Sequence, residues 1–205
     1  MTVGIISTGY GNISSVSKMV ELSGYGCKLV KSPNDLTADV EKLILPGVGS
    51  FDHGMRAIHG ADLYHPLMNS VLNKKTPILG ICLGMHLLAN GSEEGDEKGF
   101  GFIRGSVKMI SLSESGGLKL PHVGWRWVNK VRMSDLLLDN KQKERFYFTH
   151  SYVIVPDQDS IITSTVHYGH ELCVSIESGN VYGVQFHPEK SHVYGHSLIR
   201  RFCEL

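Results

Sequence analysis

The run Pro77-Ile78-Leu79-Gly80-Ile81 is apolar on both faces and passes without a linker into Cys82-Leu83-Gly84. A strand with no polar face must be covered on both sides, as the central strands of a parallel sheet are. Its neighbours fit that demand. Residues 3–7 predict a first strand, Thr8-Gly9-Tyr10-Gly11-Asn12 a turn, and residues 14–22 a helix with Val16, Met19, Val20 and Leu22 set among polar side chains. Residues 27–31 and 43–45 predict two more strands, the second stopped by Pro46-Gly47-Val48-Gly49-Ser50. Residues 53–58, 62–73 and about 85–90 read as helical, and 77–81 as the fourth strand. Such alternation implies a parallel sheet with helices on both faces.

From residue 99 to about 182 the helical period fades. Short strands are expected at 107–111, 118–120, 145–149, 161–166, 172–177 and 181–186, with a closing helix at 192–202. The expected fold is therefore α/β, with a mostly parallel central sheet flanked by helices and an additional antiparallel strand layer in the C-terminal half. A chain of 205 residues suits one domain spanning 1–205. Residues 93–98 read as a charged surface loop without a function.

Composition removes several function classes. Lys+Arg and Asp+Glu are both 20, so no basic excess exists to neutralise a nucleic-acid backbone. No apolar run approaches the roughly 18 residues that a membrane span needs. Met1-Thr2-Val3-Gly4-Ile5-Ile6 lacks the basic start of a secretory signal, which points to the cytoplasm. Cys27, Cys82, Cys173 and Cys203 are scattered, with neither C-x-x-C nor metal-ligand spacing. Free thiols are expected, and neither a metal nor a cofactor.

Gly80-Ile81-Cys82-Leu83-Gly84 has the nucleophile-elbow pattern, glycine two residues either side of the nucleophile, with cysteine in place of serine. The strained turn leaves no room for side chains at the flanking positions, and glycine removes the clash. The thiol then stands above the end of the sheet, with the Leu83 amide turned to the same space and a helix N-terminus behind it. A nucleophile needs a base, and the base an orienting group. Gln185-Phe186-His187-Pro188-Glu189 supplies both, since residues two apart on an extended chain share a side. His187 and Glu189 complete a Cys-His-Glu set with Cys82. Backbone amides in Pro46-Gly47-Val48-Gly49 can add a second oxyanion donor to that of Leu83.

At this point the chain resembles the class I (triad-type) glutamine amidotransferases, and within them the glutaminase subunits of imidazole glycerol phosphate synthase. The matching stretches are Gly11-Asn12-Ile13-Ser14-Ser15-Val16, Leu45-Pro46-Gly47-Val48-Gly49-Ser50-Phe51, residues 80–88, Leu120-Pro121-His122-Val123-Gly124-Trp125, residues 146–152 and residues 184–191. They span nearly the whole chain in family order. The resemblance implies hydrolysis of L-glutamine by Cys82, His187 and Glu189, with Leu83, Val48 and Gly49 at the oxyanion. It implies that His86, Ser151 and Tyr152 bind glutamine. It also implies that ammonia passes to a (β/α)₈-barrel cyclase in a heterodimer, with Trp125, Tyr147 and Lys190 at the interface or ammonia exit. That cyclase makes imidazole glycerol phosphate and an aminoimidazole carboxamide ribotide.

The match departs at three places. His86 stands where the family usually has Gln, Ser7 where the first strand usually ends in Asp, and Arg126 where Asn usually follows Gly-Trp. A paralogue feeding ammonia to another synthetase, such as one building an amidino sugar for surface polysaccharide, is the alternative these changes raise. A stand-alone γ-glutamyl cysteine hydrolase and a catalytically silent binding module are two further readings.

Overall fold

The computed structural model describes residues 1–7, 9, 11–112, 117–138 and 143–205; of the expected turn at 8–12, Thr8 and Tyr10 lie outside them. The first half runs β1 (Thr2–Ile6), α1 (Ile13–Leu22), β2 (Gly26–Val30), β3 (Val40–Gly47), α2 (Phe51–Gly60), α3 (Tyr64–Met68), β4 (Ile78–Cys82) and α4 (Leu83–Leu87). The second runs β5 (Gly105–Met109), β6 (His122–Trp127), β7 (Asn129–Lys130), β8 (Arg145–His150), β9 (Tyr152–Pro156), β10 (Ile162–Tyr168), β11 (His170–Ser178), β12 (Val181–Val184) and α5 (His192–Glu204).

Eight strands form one sheet in the order β2-β1-β3-β4-β12-β11-β10-β7. β2 through β12 in that order pair parallel, and β11, β10 and β7 extend the sheet antiparallel. The ribbons β5–β9 and β6–β8 are separate and antiparallel. This is the expected α/β architecture with its antiparallel addition.

Alternation along the strands builds two cores. In β3, Leu43 and Leu45 enter one cluster with Met55, Ile58 and Leu67 of α2 and α3, while Ile44 enters the other with Val16, Val20, Leu198 and Phe202 of α1 and α5. Burying each such large side chain contributes roughly 1.5–3 kcal/mol. The parallel strands β3 and β4 end together, Gly47 opposite Cys82, and β12 ends with Val184 opposite Ile81. The carboxyl ends of neighbouring parallel strands are where open α/β sheets place their sites.

Several expected elements differ. Residues 118–120 form no strand; β6 begins at His122 instead, and β9 was not expected at all. The helix expected over 62–73 starts only at Tyr64, because Asp62 takes a left-handed φ of 57°, and it passes into a π-turn at Asn69–Asn73. α4 begins at Leu83 rather than near Met85, with Cys82 itself as the cap. The expected strand at 181–186 stops at Val184. Among the described residues no helix is long and apolar enough to cross a membrane.

Candidate active site

Cys82 is the last residue of β4 and has φ 54° and ψ −112°, a conformation L-residues rarely hold. The flanking glycines show what allows it. A Cβ on Gly84 would lie 1.7 Å from the Leu45 carbonyl oxygen, and one on Gly80 would lie 2.7 Å from the Gly84 backbone. Gly47 is similarly confined, its added Cβ 3.0 Å from the Gly84 nitrogen. Strand and helix thus meet closely enough to force the turn, and only glycine fits.

His187 and Glu189 follow β12. His187 Nδ1 donates to Glu189 Oε1 at 2.8 Å, and both side chains are almost fully buried. The contact is not made by an extended chain, as the spacing had suggested. β12 has already ended, and Pro188–Lys190 is a 3₁₀ turn that folds the carboxylate back onto the ring. The His187 backbone is clamped to β8: its N–H donates to Tyr147 O at 2.9 Å. Ser191 Oγ donates to His187 O at 2.6 Å and accepts from Tyr147 N at 3.0 Å. Asn12, just before α1, donates from Nδ2 to the same Glu189 Oε1 at 2.8 Å. Sequence reasoning placed Asn12 in a turn, and no local signal shows that it reaches a carboxylate 177 positions away.

Among the described residues, His187 Nε2 and Glu189 Oε2 are buried without a conventional hydrogen-bond partner. Burial works against a charged imidazole here, but interactions with Cys82 and with Glu189 outweigh it and raise the His187 pKa to about 9. For Glu189, burial opposes ionisation, yet the bonds to His187 and Asn12 hold its pKa below the ordinary carboxylate value.

The cleft above Cys82 has a volume of about 350 Å³. Its walls include Val48, Gly49, Leu83, His86, Ser151, Tyr152 and His187, which brings together the expected catalytic, oxyanion and glutamine-binding residues apart from Glu189, which stands behind His187. Gly49 has φ 101°, a conformation that favours glycine. Glu94, Pro121, Thr149 and His150 line the cleft too. Glu94 belongs to the charged loop at residues 93–98, for which no function was expected. The loop is anchored rather than free: Phe51 N donates to Glu94 Oε2 at 2.8 Å, and Asp52 accepts from Asp96 N and Glu97 N.

His86 is buried and its Nε2 lies 2.6 Å from Gln185 Oε1. Gln185 Nε2 in turn points at Cys82 Sγ, 3.8 Å away. The amide oxygen can only accept, so His86 Nε2 carries the proton. Burial lowers the His86 pKa to about 4, so the ring is neutral. His86 therefore orients an amide that donates toward the thiol. Gln185 escaped sequence reasoning, although a lone polar residue between Val184 and Phe186 was the available signal.

Trp125, Tyr147 and Lys190 lie outside the cleft but close together. Lys190 Nζ sits 5.6 Å from the Tyr147 ring centroid, Trp125 meets Tyr147 edge-on, and Trp125 stacks on His192. Arg145 lies over both Trp125 and the half-exposed Trp127. Trp125 and Tyr147 are only partly buried and Lys190 is exposed, so none of the three fills core.

The family model for class-I glutamine amidotransferases matches residues 5–204. The chain belongs to the class-I glutamine amidotransferase family. Among relatives, it is 43% identical over 205 residues to imidazole glycerol phosphate synthase subunit HisH 2 of Methanococcus maripaludis, covering 98% of both chains. It is 39% identical to subunit HisH of Leptospira borgpetersenii, covering 99% of this chain and all of that one, and 39% identical to subunit HisH 2 of Pseudomonas aeruginosa, covering 98% of both. Its fold is similar to that of a crystallised glutamine amidotransferase, with TM-score 0.76 at 17% identity over 98% of this chain and 97% of that one. It is also similar to a chain in the structure of PurLQS from Thermotoga maritima, with TM-score 0.73 at 19% identity, covering 99% and 97%.

Proposed function

We propose that this chain is the glutaminase subunit of an imidazole glycerol phosphate synthase, acting in histidine biosynthesis. It hydrolyses L-glutamine to glutamate and hands ammonia to a (β/α)₈-barrel cyclase in a heterodimer. The observation that carries the reading is one buried imidazole, tied at Nδ1 to Glu189, that lines the same cleft as Cys82.

In this mechanism the proton of the pair rests on His187 and Cys82 is the thiolate. The sulfur attacks the side-chain amide carbon of glutamine and forms a C–S bond. Negative charge moves to the amide oxygen, met by the Leu83 N–H and by the backbone at Val48 and Gly49. His187 gives its proton to the departing nitrogen, the C–N bond breaks, and ammonia leaves. Water then loses a proton to His187 and attacks the glutamyl thioester. Glutamate departs, and thiolate and imidazolium are restored. Glu189 fixes the Nδ1–H tautomer, and Asn12 fixes Glu189. Gln185, held by His86, donates to the sulfur. Ser151 and Tyr152 hold the backbone end of glutamine, with the Glu94 carboxylate as counter-charge for its ammonium.

The aromatic and cationic face of Trp125, Tyr147 and Lys190 receives the cyclase. The backbone bond from His187 N to Tyr147 O, and the Ser191 hydroxyl that bridges Tyr147 N and His187 O, support this placement, because they connect that face to the backbone of His187. We infer a single domain over 1–205, working in the cytoplasm. The deciding experiment compares nitrogen sources in the reconstituted complex. Cys82→Ala should abolish glutamine-dependent synthesis and spare synthesis fed with ammonium salt; equal loss with both sources would count against the reading. Arg126, standing where the family usually has Asn, raises a second reading in which the same chemistry serves another acceptor. Failure of soluble protein to restore growth of a histidine auxotroph lacking the glutaminase would favour that paralogue.

A further inference from the structure

β8 pairs with β6 and β9 pairs with β5, so the chain changes ribbon at Ser151, between His150 and Tyr152. This corner lines the cleft. Two hydrogen bonds define it: Ile110 N donates to Ser151 O at 2.9 Å, and His150 Nδ1 lies 2.8 Å from Tyr152 O. A carbonyl only accepts, so His150 Nδ1 carries the proton. On its other side, His150 Nε2 lies 3.0 Å from Nδ1 of His122, its partner across the β6–β8 ladder.

Both rings are buried, His122 completely. Burial, reinforced for His122 by the Arg126 charge, lowers its pKa to about 4, and burial lowers that of His150 to about 3, so both are neutral. A neutral His150 protonated at Nδ1 has a bare Nε2, so His122 Nδ1 must donate to it. His122 Nε2 is then also bare, which agrees with its lack of a partner among the described residues. The result is one directed chain, His122 to His150 to the Tyr152 carbonyl. His122 is held between Tyr168, with centroids 4.1 Å apart, and Phe148, at 5.0 Å. Tyr168 is itself tied by its hydroxyl to Lys119 O at 2.7 Å.

We propose that the His122–His150 pair is a positioning device for glutamine, fixing the Ser151–Tyr152 corner against the cleft through this one-way hydrogen-bond chain. The proposal rests on the glutaminase reading. Neither ring supplies or removes a proton in the chemistry, so loss of the chain should weaken substrate binding and leave turnover nearly intact.

Two variants separate the hydrogen bond from the packing. His122→Phe keeps the stacking and removes the donor; His122→Asn places an amide donor near Nδ1 and gives up the stacking. In the complex with the cyclase, measured as glutamate release, His122→Phe should raise KM for glutamine about tenfold, the effect of one lost buried hydrogen bond, with kcat within about twofold. His122→Asn should keep a near-normal KM even where its melting temperature is lower. An unchanged KM in His122→Phe, or a KM in His122→Asn raised at least as much, overturns the proposal. Nitrogen-15 spectra of the unaltered protein at pH 7 test it without any variant: both rings should show a protonated Nδ1 and a bare Nε2, and a proton on Nε2 of either ring overturns it. Absence of glutamate release by the unaltered complex would sink the glutaminase reading instead and leave the tautomer result standing.

Discussion

Replacing Glu189 by Gln isolates the charge of the proposed triad from its geometry. Glu189 Oε1 accepts from both His187 Nδ1 and Asn12 Nδ2, whereas Oε2 has no hydrogen-bond partner among the described residues. A glutamine amide can put its oxygen in the first place and its NH₂ in the second without breaking a bond. The imidazole keeps its orientation and its Nδ1–H tautomer, and only the negative charge is lost. At an effective dielectric of about 20, unit charges about 4 Å apart interact by about 4 kcal/mol, and the amide dipole retains part of this. A charge-assisted hydrogen bond is about twice as strong as a neutral one, so about 2 kcal/mol should be lost. That corresponds to a fall of about thirtyfold in any step needing the imidazolium. The His187 pKa, now about 9, should drop because the carboxylate charge would no longer oppose burial, and the alkaline limb of the rate profile should move to lower pH. The assay is glutamate release by the reconstituted complex across pH. A loss as large as that of Cys82→Ala, or an unmoved alkaline limb, would refute this division between charge and geometry.

Three further outcomes follow from the same structure. Gly84→Ala drives a Cβ against the Leu45 carbonyl and should cost more than about 3 kcal/mol in a denaturant titration; a near-native midpoint would contradict the packing described. Trp125→Ala should leave the melting temperature nearly unchanged and weaken cyclase binding by about 10- to 100-fold in calorimetry; unaltered affinity would remove Trp125 from the interface. The folded pKa of His187 lies above the ordinary histidine value of about 6.5, so its contribution to stability is fully present below about pH 6.5 and fades as pH rises toward 9. Stability measured against pH should therefore decline over that window, and less steeply in Glu189→Gln.

Much of the fold was legible because local and tertiary demands coincide there. The two-sided apolar run into the elbow needs a central strand, a forced turn and two glycines, and β4 with Gly80 and Gly84 provides them. β6 was invisible because its pattern is inverted: His122 faces the core, while Val123 and Trp127 are 48% and 50% exposed. A strand that turns aromatics outward does not look amphipathic in the expected sense. β9 was missed because the chain changes ribbon at Ser151 without a turn signal. The proximity of His187 and Glu189 was expected for the wrong reason, since a 3₁₀ turn rather than extension joins them. Asn12, Gln185 and the His122–His150 pair depend on contacts between distant segments, which no local pattern encodes.

Covalent labelling by a glutamine-like electrophile tests most directly whether Cys82 is the nucleophile. The other thiols provide an internal control: burial pushes Cys173 up to about 12 and Cys203 to about 11, and raises Cys27 as well. Intact-mass and peptide analysis of the labelled complex should show one adduct, on Cys82, lost in His187→Ala. An adduct on any other cysteine, or none while the complex turns over glutamine, would contradict the account.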